Sequence, residues 1–164
     1  MKENNKPTLK SVSGQFLKID DMMPLIKECL LENRSVEILV RGASMLPTLK
    51  EGRDSVVLSR LEREPKKYDV VLYSRSDGSY VLHRIVKVGE SYTAIGDAQY
   101  VYESGILRES IIAIAVAFRK NGRLISADSV RNRIYSLFWT KFRPLRRFLK
   151  RARRKIYRML RRKK

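Results

Sequence analysis

The sequence predicts a mostly β domain, built as a barrel or as packed sheets, with one helix before the strands and a basic amphipathic helical tail after them. Short apolar runs rich in Val, Ile, Leu and Tyr follow one another through the middle of the chain. Two of the breaks between them contain Asp77-Gly78 and Asn121-Gly122, which are typical of tight β-hairpin turns. Before these runs, apolar residues recur at helical spacing instead.

The N-terminal helix is predicted to begin at Asp20 or Asp21, either of which can cap it, with Pro24 in its first turn. Asn33 is expected to end it. Strands then follow, interrupted by Gly, Pro and charged residues. We expect seven of them, at residues 36–41, 55–59, 68–74, 80–88, 92–95, 111–118 and 123–125.

Charge divides the chain. The 164 residues suffice for one domain with a sizeable core, and they carry 36 Lys and Arg against 17 Asp and Glu. Residues 131–164 hold 16 of the basic residues and no acidic one, so the rest is nearly balanced. We therefore predict a loose segment at 1–19, a folded domain at 20–128 and a basic tail at 129–164.

Several chemistries are not expected. Cys29 is the single cysteine, which excludes an intrachain disulfide and a multi-cysteine metal site. We predict no metal and no other cofactor. No apolar run approaches the roughly 20 residues of a membrane-spanning helix, and Met1–Lys10 lacks the apolar stretch of a signal peptide. These features predict a cytoplasmic protein.

One turn carries a candidate nucleophile. Ser44 follows a predicted strand and lies between Gly42, which permits unusual backbone angles, and Pro47, which fixes its own φ. A serine held rigidly in such a turn can present its hydroxyl, and its backbone N–H can stabilise an oxyanion. Met45 is expected to line a pocket beside it.

The matching base is His83, the only histidine, on a predicted strand where it shares a face with Val81 and Ile85. A neutral imidazole can accept the serine proton, and a third group normally orients the ring. Asp97 is the preferred carboxylate for that role and Glu103 the second candidate. A lone serine in a turn and a lone histidine on an apolar face are each more often structural; their combination favours catalysis.

These segments resemble, in order, the sequence boxes of type I signal peptidases: GASMLPTL at 42–49, YDVVL at 68–72, HRIV at 83–86, GD at 96–97 and ESII at 109–112. Most bacterial members have Lys where His83 stands. The histidine form is similar to the endoplasmic-reticulum and archaeal type.

The resemblance implies the family's β-rich fold and a serine endopeptidase that cleaves after small residues. It also implies that Ser44 is the nucleophile, His83 the base and Asp97 the supporting acid. The chain departs from the family in three respects. We expect no transmembrane anchor, which members usually carry, and Glu103 stands nearest to the aspartate that is often found a few residues beyond the Gly-Asp turn. The chain also reads Arg53-Asp54 after Gly52 where the family commonly has Gly-Asp directly.

The basic tail has an apolar stripe that recurs every three, four or seven residues, which is typical of a helix on an anionic membrane surface. Pro144 is expected to divide it. This pattern predicts a peripheral protein on the inner face of the membrane. Nucleic-acid binding and packing of the stripe on the domain are the alternatives. The stripe comprises Ile134, Phe138, Phe142, Leu145, Leu149, Ala152, Ile156 and Leu160.

Two other functions remain open. The domain could be an inactive signal-peptidase-like module that binds membrane or RNA through its tail. It could also be a LexA-like self-cleaving peptidase, although such repressors use a lysine base and the region before the first strand is short for a DNA-binding domain.

Overall fold

The computed structural model describes residues 19–142. Two helices flank an antiparallel sheet of eight strands, and a short 3-10 turn lies before the seventh strand. The elements are α1 (Ile19–Leu31), β1 (Val36–Leu39), β2 (Ser55–Ser59), β3 (Val70–Ser74), β4 (Tyr80–Lys87), β5 (Tyr92–Ile95), β6 (Glu103–Ile106), the turn Arg108–Ser110, β7 (Ile111–Lys120), β8 (Arg123–Ser126) and α2 (Val130–Lys141).

The mostly β prediction is confirmed, and the sheet is open rather than closed into a barrel. The strand order is β1-β2-β7-β3-β4-β5-β6, with β8 paired to the end of β7. All seven predicted strands are present. An eighth, β6, was missed because Glu103-Ser-Gly-Ile106 has no alternation of apolar and polar residues, and Gly105 adopts a left-handed φ of 75° within it.

The central strands are buried on both faces, which explains why their sequences are continuously apolar. Along β3, Val70 and Leu72 belong to the core cluster that also contains the apolar face of α1. The alternate residues Val71 and Tyr73 belong to a second cluster with Ile85 of β4. Functional side chains on β4 can therefore be presented on either face of one sheet.

The N-terminal helix is confirmed. It begins at Ile19, so Asp20 and Asp21 lie inside its first turn and neither is the predicted cap that precedes the helix. Asn33 follows the end of the helix with a left-handed φ of 59°. Cys29 is a free, buried thiol on its inner face.

The C-terminal helix α2 covers the first part of the predicted basic tail, and the rest of that tail, with Pro144, lies outside the described residues. The hydroxyl of Ser129 caps the start of α2 by accepting from the N–H of Asn132. Asn132 and Ser136 are buried, so α2 packs against the sheet domain along a polar face.

Candidate active site

Ser44 lies in the connection between β1 and β2, in a turn anchored by its neighbours. Met45 and Leu49 are almost fully buried in the core cluster under α1, and the Leu49 N–H donates to the Met45 carbonyl at 2.9 Å. The Met45 side chain therefore anchors the turn in the core, and the pocket-lining role expected from the sequence stays a prediction. Ser44 itself is half-buried.

Asp54 closes this connection. It is fully buried, and its carboxylate accepts from the Lys50 N–H at 2.9 Å and from the Arg53 guanidinium at 2.7 Å. Its backbone carbonyl accepts from the Val40 N–H at 2.9 Å. The two ends of the Ser44 connection are thereby held together.

The Ser44 turn rests on the turn that follows β5. The Ala98 N–H donates to the Ser44 carbonyl oxygen at 2.8 Å. A Cβ on Gly96 would lie only 2.7 Å from that same oxygen, so the Ser44 backbone fills the space that a side chain at position 96 would need. Glycine at position 96 permits this close approach.

This contact brings Ser44 towards the strand that carries His83. β4 and β5 are antiparallel, and their register aligns Arg84 with Ile95, which are the residues next to His83 and Gly96 in the sequence. The Ser44 backbone thus packs against the residue that directly follows the strand paired with β4.

The His83 imidazole is buried, with 1% exposure, and one of its nitrogens is held by two partners. Nδ1 lies 3.2 Å from Oε1 of Glu103 and 3.2 Å from the Tyr73 hydroxyl oxygen. The Tyr73 hydroxyl in turn donates to Oε2 of Glu103 at 2.7 Å. An Nδ1–H directed at this carboxylate leaves Nε2 as the proton acceptor.

Burial is the main influence on the His83 pKa and lowers it below the ordinary 6.5. The charge of Glu103 opposes that effect, and Arg75 reinforces it. A hydrogen bond from Arg75 is the chief cause of the lowered pKa of Glu103. At neutral pH the pair is therefore a neutral imidazole beside an ionised carboxylate, which is the arrangement that a general base requires.

Asp97, the preferred carboxylate, has a different principal partner. Arg84 donates to it twice, from Nε to Oδ1 at 2.9 Å and from Nη2 to Oδ2 at 2.7 Å. The Thr48 hydroxyl also donates to Oδ2. Asp97 raises the His83 pKa through its charge, but less than Glu103 does. Contact with Nδ1 is made by Glu103, the second candidate.

The role of Arg84 was not anticipated. Its guanidinium is fully buried, and besides Asp97 it donates from Nη1 to the Tyr68 carbonyl at 3.0 Å and to the Ser136 hydroxyl at 2.8 Å. A charged residue inside an apolar strand was the available signal, because a buried cation requires a partner. The pair links the Gly96-Asp97 turn to β4 and to α2.

Within residues 19–142 no group of three or more His, Cys, Asp or Glu residues could hold a metal ion. Neither described helix has the length and apolar character needed to cross a bilayer.

Comparison of the chain with known protein families, with curated proteins and with solved structures finds no match.

Proposed function

We propose that this protein is a serine endopeptidase of the signal peptidase I type, with Ser44 as nucleophile, His83 as general base and Glu103 as the carboxylate that orients the base. The observation that carries the proposal is the orientation of the imidazole: Nδ1 of His83 lies 3.2 Å from a carboxylate oxygen of Glu103. The Ser44 carbonyl lies against Gly96, which directly follows the strand paired with β4. The sequence resemblance independently supports the same serine and histidine.

In the proposed reaction, Nε2 of His83 accepts the Ser44 hydroxyl proton as the oxygen attacks the peptide carbonyl carbon. The resulting imidazolium is stabilised by the ionised Glu103, whose own charge is fixed by Arg75. The imidazolium then protonates the departing amine, which leaves an acyl-enzyme. Water then gives a proton to the same nitrogen as it attacks the acyl carbon. The bond from that carbon to Oγ of Ser44 breaks, and the imidazolium returns its proton to Oγ, which restores both residues.

The oxyanion of the tetrahedral intermediate needs hydrogen-bond donors. We assign the Ser44 backbone N–H to this role, because the Met45 and Leu49 anchors fix the orientation of the turn. The substrate is a peptide or precursor protein bound in extended form beside a strand, with a small residue before the scissile bond.

We place the enzyme on the inner face of the membrane as a peripheral protein. The support is the sequence of residues 131–164, which has 16 basic residues and no acidic one. Each Lys or Arg near an anionic bilayer contributes about 1 kcal/mol of binding free energy.

Cleavage of extended peptides with a small residue at the cleavage position tests the chemistry. Ser44→Ala and His83→Ala are each expected to lower kcat/KM at least about a thousandfold, because neither group can act alone. Ser104→Ala, on the exposed surface of β6, is the matched control and should retain activity.

A serine-reactive phosphonate should label the parent chain and not Ser44→Ala. Equal cleavage by the parent and both active-site variants would refute the proposal. Absence of both cleavage and labelling would favour the inactive module. Cleavage of the chain by itself, with no cleavage of added peptides, would favour the LexA-like alternative.

A further inference from the structure

The helix α2 has one face that packs on the sheet domain and one face that is exposed. Its inward residues are polar or amphipathic and lie at the spacing of one helix face. Its outward side carries large apolar side chains that belong to neither core cluster of the described residues. The inward residues are Asn132, Tyr135, Ser136 and Trp139; the outward apolar ones are Val130, Ile134, Leu137, Phe138 and Phe142.

The inward face seats α2 on the two turns of the active site. The Trp139 indole N–H donates to the Asp97 carbonyl at 3.0 Å, and Ser136 accepts from the buried Arg84. The Tyr135 hydroxyl lies 3.3 Å from that of Thr48, in the Ser44 turn. These contacts hold α2 so that its apolar side faces away from the domain.

The outward face of α2 exposes several large apolar side chains to solvent. Ile134 is 50% exposed, Phe138 55% and Phe142 48%, and the rings of Phe138 and Phe142 stack with their centroids 5.8 Å apart. Contiguous exposed apolar patches of this kind mark interaction sites.

The charges around this face select its partner. Arg131, Arg133 and Lys141 are exposed on α2, and α2 contains no acidic residue. The sequence that follows, 143–164, adds 13 basic residues and again no acidic one. A partner must therefore offer an apolar layer beneath a layer of negative charge.

We propose that the outward face of α2 docks on the surface of an anionic lipid bilayer, with its phenylalanines in the acyl boundary and its cations among the headgroups. The inference deepens the proposed function, on whose membrane location it rests. It names the surface that meets the lipid and couples that surface to the Ser44 and Gly96-Asp97 turns through the inward contacts.

Two other occupants fit less well. A second copy of the chain would bring two acid-free basic segments together, which like charges oppose. A nucleic acid would satisfy the cations, but its phosphate backbone offers no layer into which exposed phenylalanines can be buried.

Vesicle flotation tests the proposal, using the full chain with Ser44→Ala so that the result does not depend on peptidase activity. This protein is expected to float with vesicles containing phosphatidylglycerol and not with pure phosphatidylcholine. The charge-neutral change Phe138→Gln with Phe142→Gln should reduce flotation at least tenfold. The control pair Leu31→Gln with Leu107→Gln, exposed apolar residues outside α2, should leave flotation unchanged.

Equal flotation of both double variants would overturn the inference, because the basic sequence alone would then explain binding. Absence of flotation would also overturn it, as would a dimer of the Ser44→Ala protein that Phe138→Gln with Phe142→Gln makes monomeric, or salt-sensitive RNA retention in place of flotation. If flotation behaves as expected while the unmutated active site cleaves nothing, the docking surface stands and the peptidase proposal fails.

Discussion

Burial and the charge of Glu103 shift the pKa of His83 in opposite directions. Burial lowers it, because the interior does not solvate an imidazolium, while the carboxylate of Glu103 raises it. The net result is a pKa below 6.5, so the neutral form prevails at pH 7. In the proposed role of general base, His83 would lose its activity as the pH falls through this lowered pKa.

Glu103→Gln is expected to lower kcat by about 10²–10⁴-fold, because the ring loses the group that fixes its tautomer and stabilises its charged form. Removing the negative charge also lowers the His83 pKa further, so the acid limb of the kcat/KM profile should move to lower pH. The measurement is a pH profile of peptide cleavage.

Glu109→Gln, at an exposed carboxylate, is the control for this change and should leave both rate and profile as in the parent. A Glu103→Gln enzyme with parental kcat and an unshifted acid limb would show that Glu103 does not orient the base.

At the scale of elements, the connection between β1 and β2 depends on one buried carboxylate. Asp54 has its pKa lowered to about 2, chiefly by the hydrogen bond from Arg53 and then, against the opposing effect of burial, by backbone N–H groups of Lys50 and Asn121. A pKa that is lowered on folding means that the ionised group stabilises the fold above pH 3.8. That contribution is lost as the pH falls towards 2.

Asp54→Asn should therefore lower the free energy of unfolding by about 1–2 kcal/mol at pH 7. The difference from the parent should narrow as the pH falls from 3.8 towards 2. Urea unfolding at several pH values measures both effects. Asp128→Asn, at a carboxylate with 72% side-chain exposure, should change stability by less than about 0.5 kcal/mol. A constant difference across this pH range would contradict the assigned role.

Across the described chain, α2 is joined to the sheet by buried polar contacts, so we expect it to unfold with the sheet as one domain. Ser136 is buried and its hydroxyl accepts a hydrogen bond from the fully buried Arg84 guanidinium at 2.8 Å. The helix therefore supplies one of the hydrogen-bond acceptors of this buried cation. Thr140, in the same helix, has a buried hydroxyl without a hydrogen-bond partner among the described residues.

Ser136→Ala should lower the free energy of unfolding by about 1–3 kcal/mol, because a buried charged donor loses an acceptor. Thr140→Val, which removes a hydroxyl that makes no such bond, should be neutral or stabilising. Trp139 is the only tryptophan, so its emission reports directly on the seating of α2 during urea unfolding. If α2 unfolded well before the sheet, with Ser136→Ala as stable as the parent, α2 would not be part of the domain.

The predictable features are those that local pattern determines. Hairpin pairs such as Asp77-Gly78 and the apolar runs of the central strands depend on neighbours in sequence, and these two signals identified all but one strand. The β6 strand was not predicted, because its extended conformation depends on pairing with β5 and its own residues show no strand pattern. Local sequence patterns also predicted the turn that contains Ser44 and the strand that contains His83.

Sequence patterns predict a mostly β domain, an N-terminal helix, a basic stretch at 131–164 and two candidate reactive groups. The folded structure is needed to show that Glu103 contacts His83, that Arg84 contacts Asp97, and that α2 turns its polar face inward. Each of these contacts joins residues that are distant along the chain. Strand register and packing determine which distant residues come within hydrogen-bond distance, and the sequence of a single strand does not specify that register.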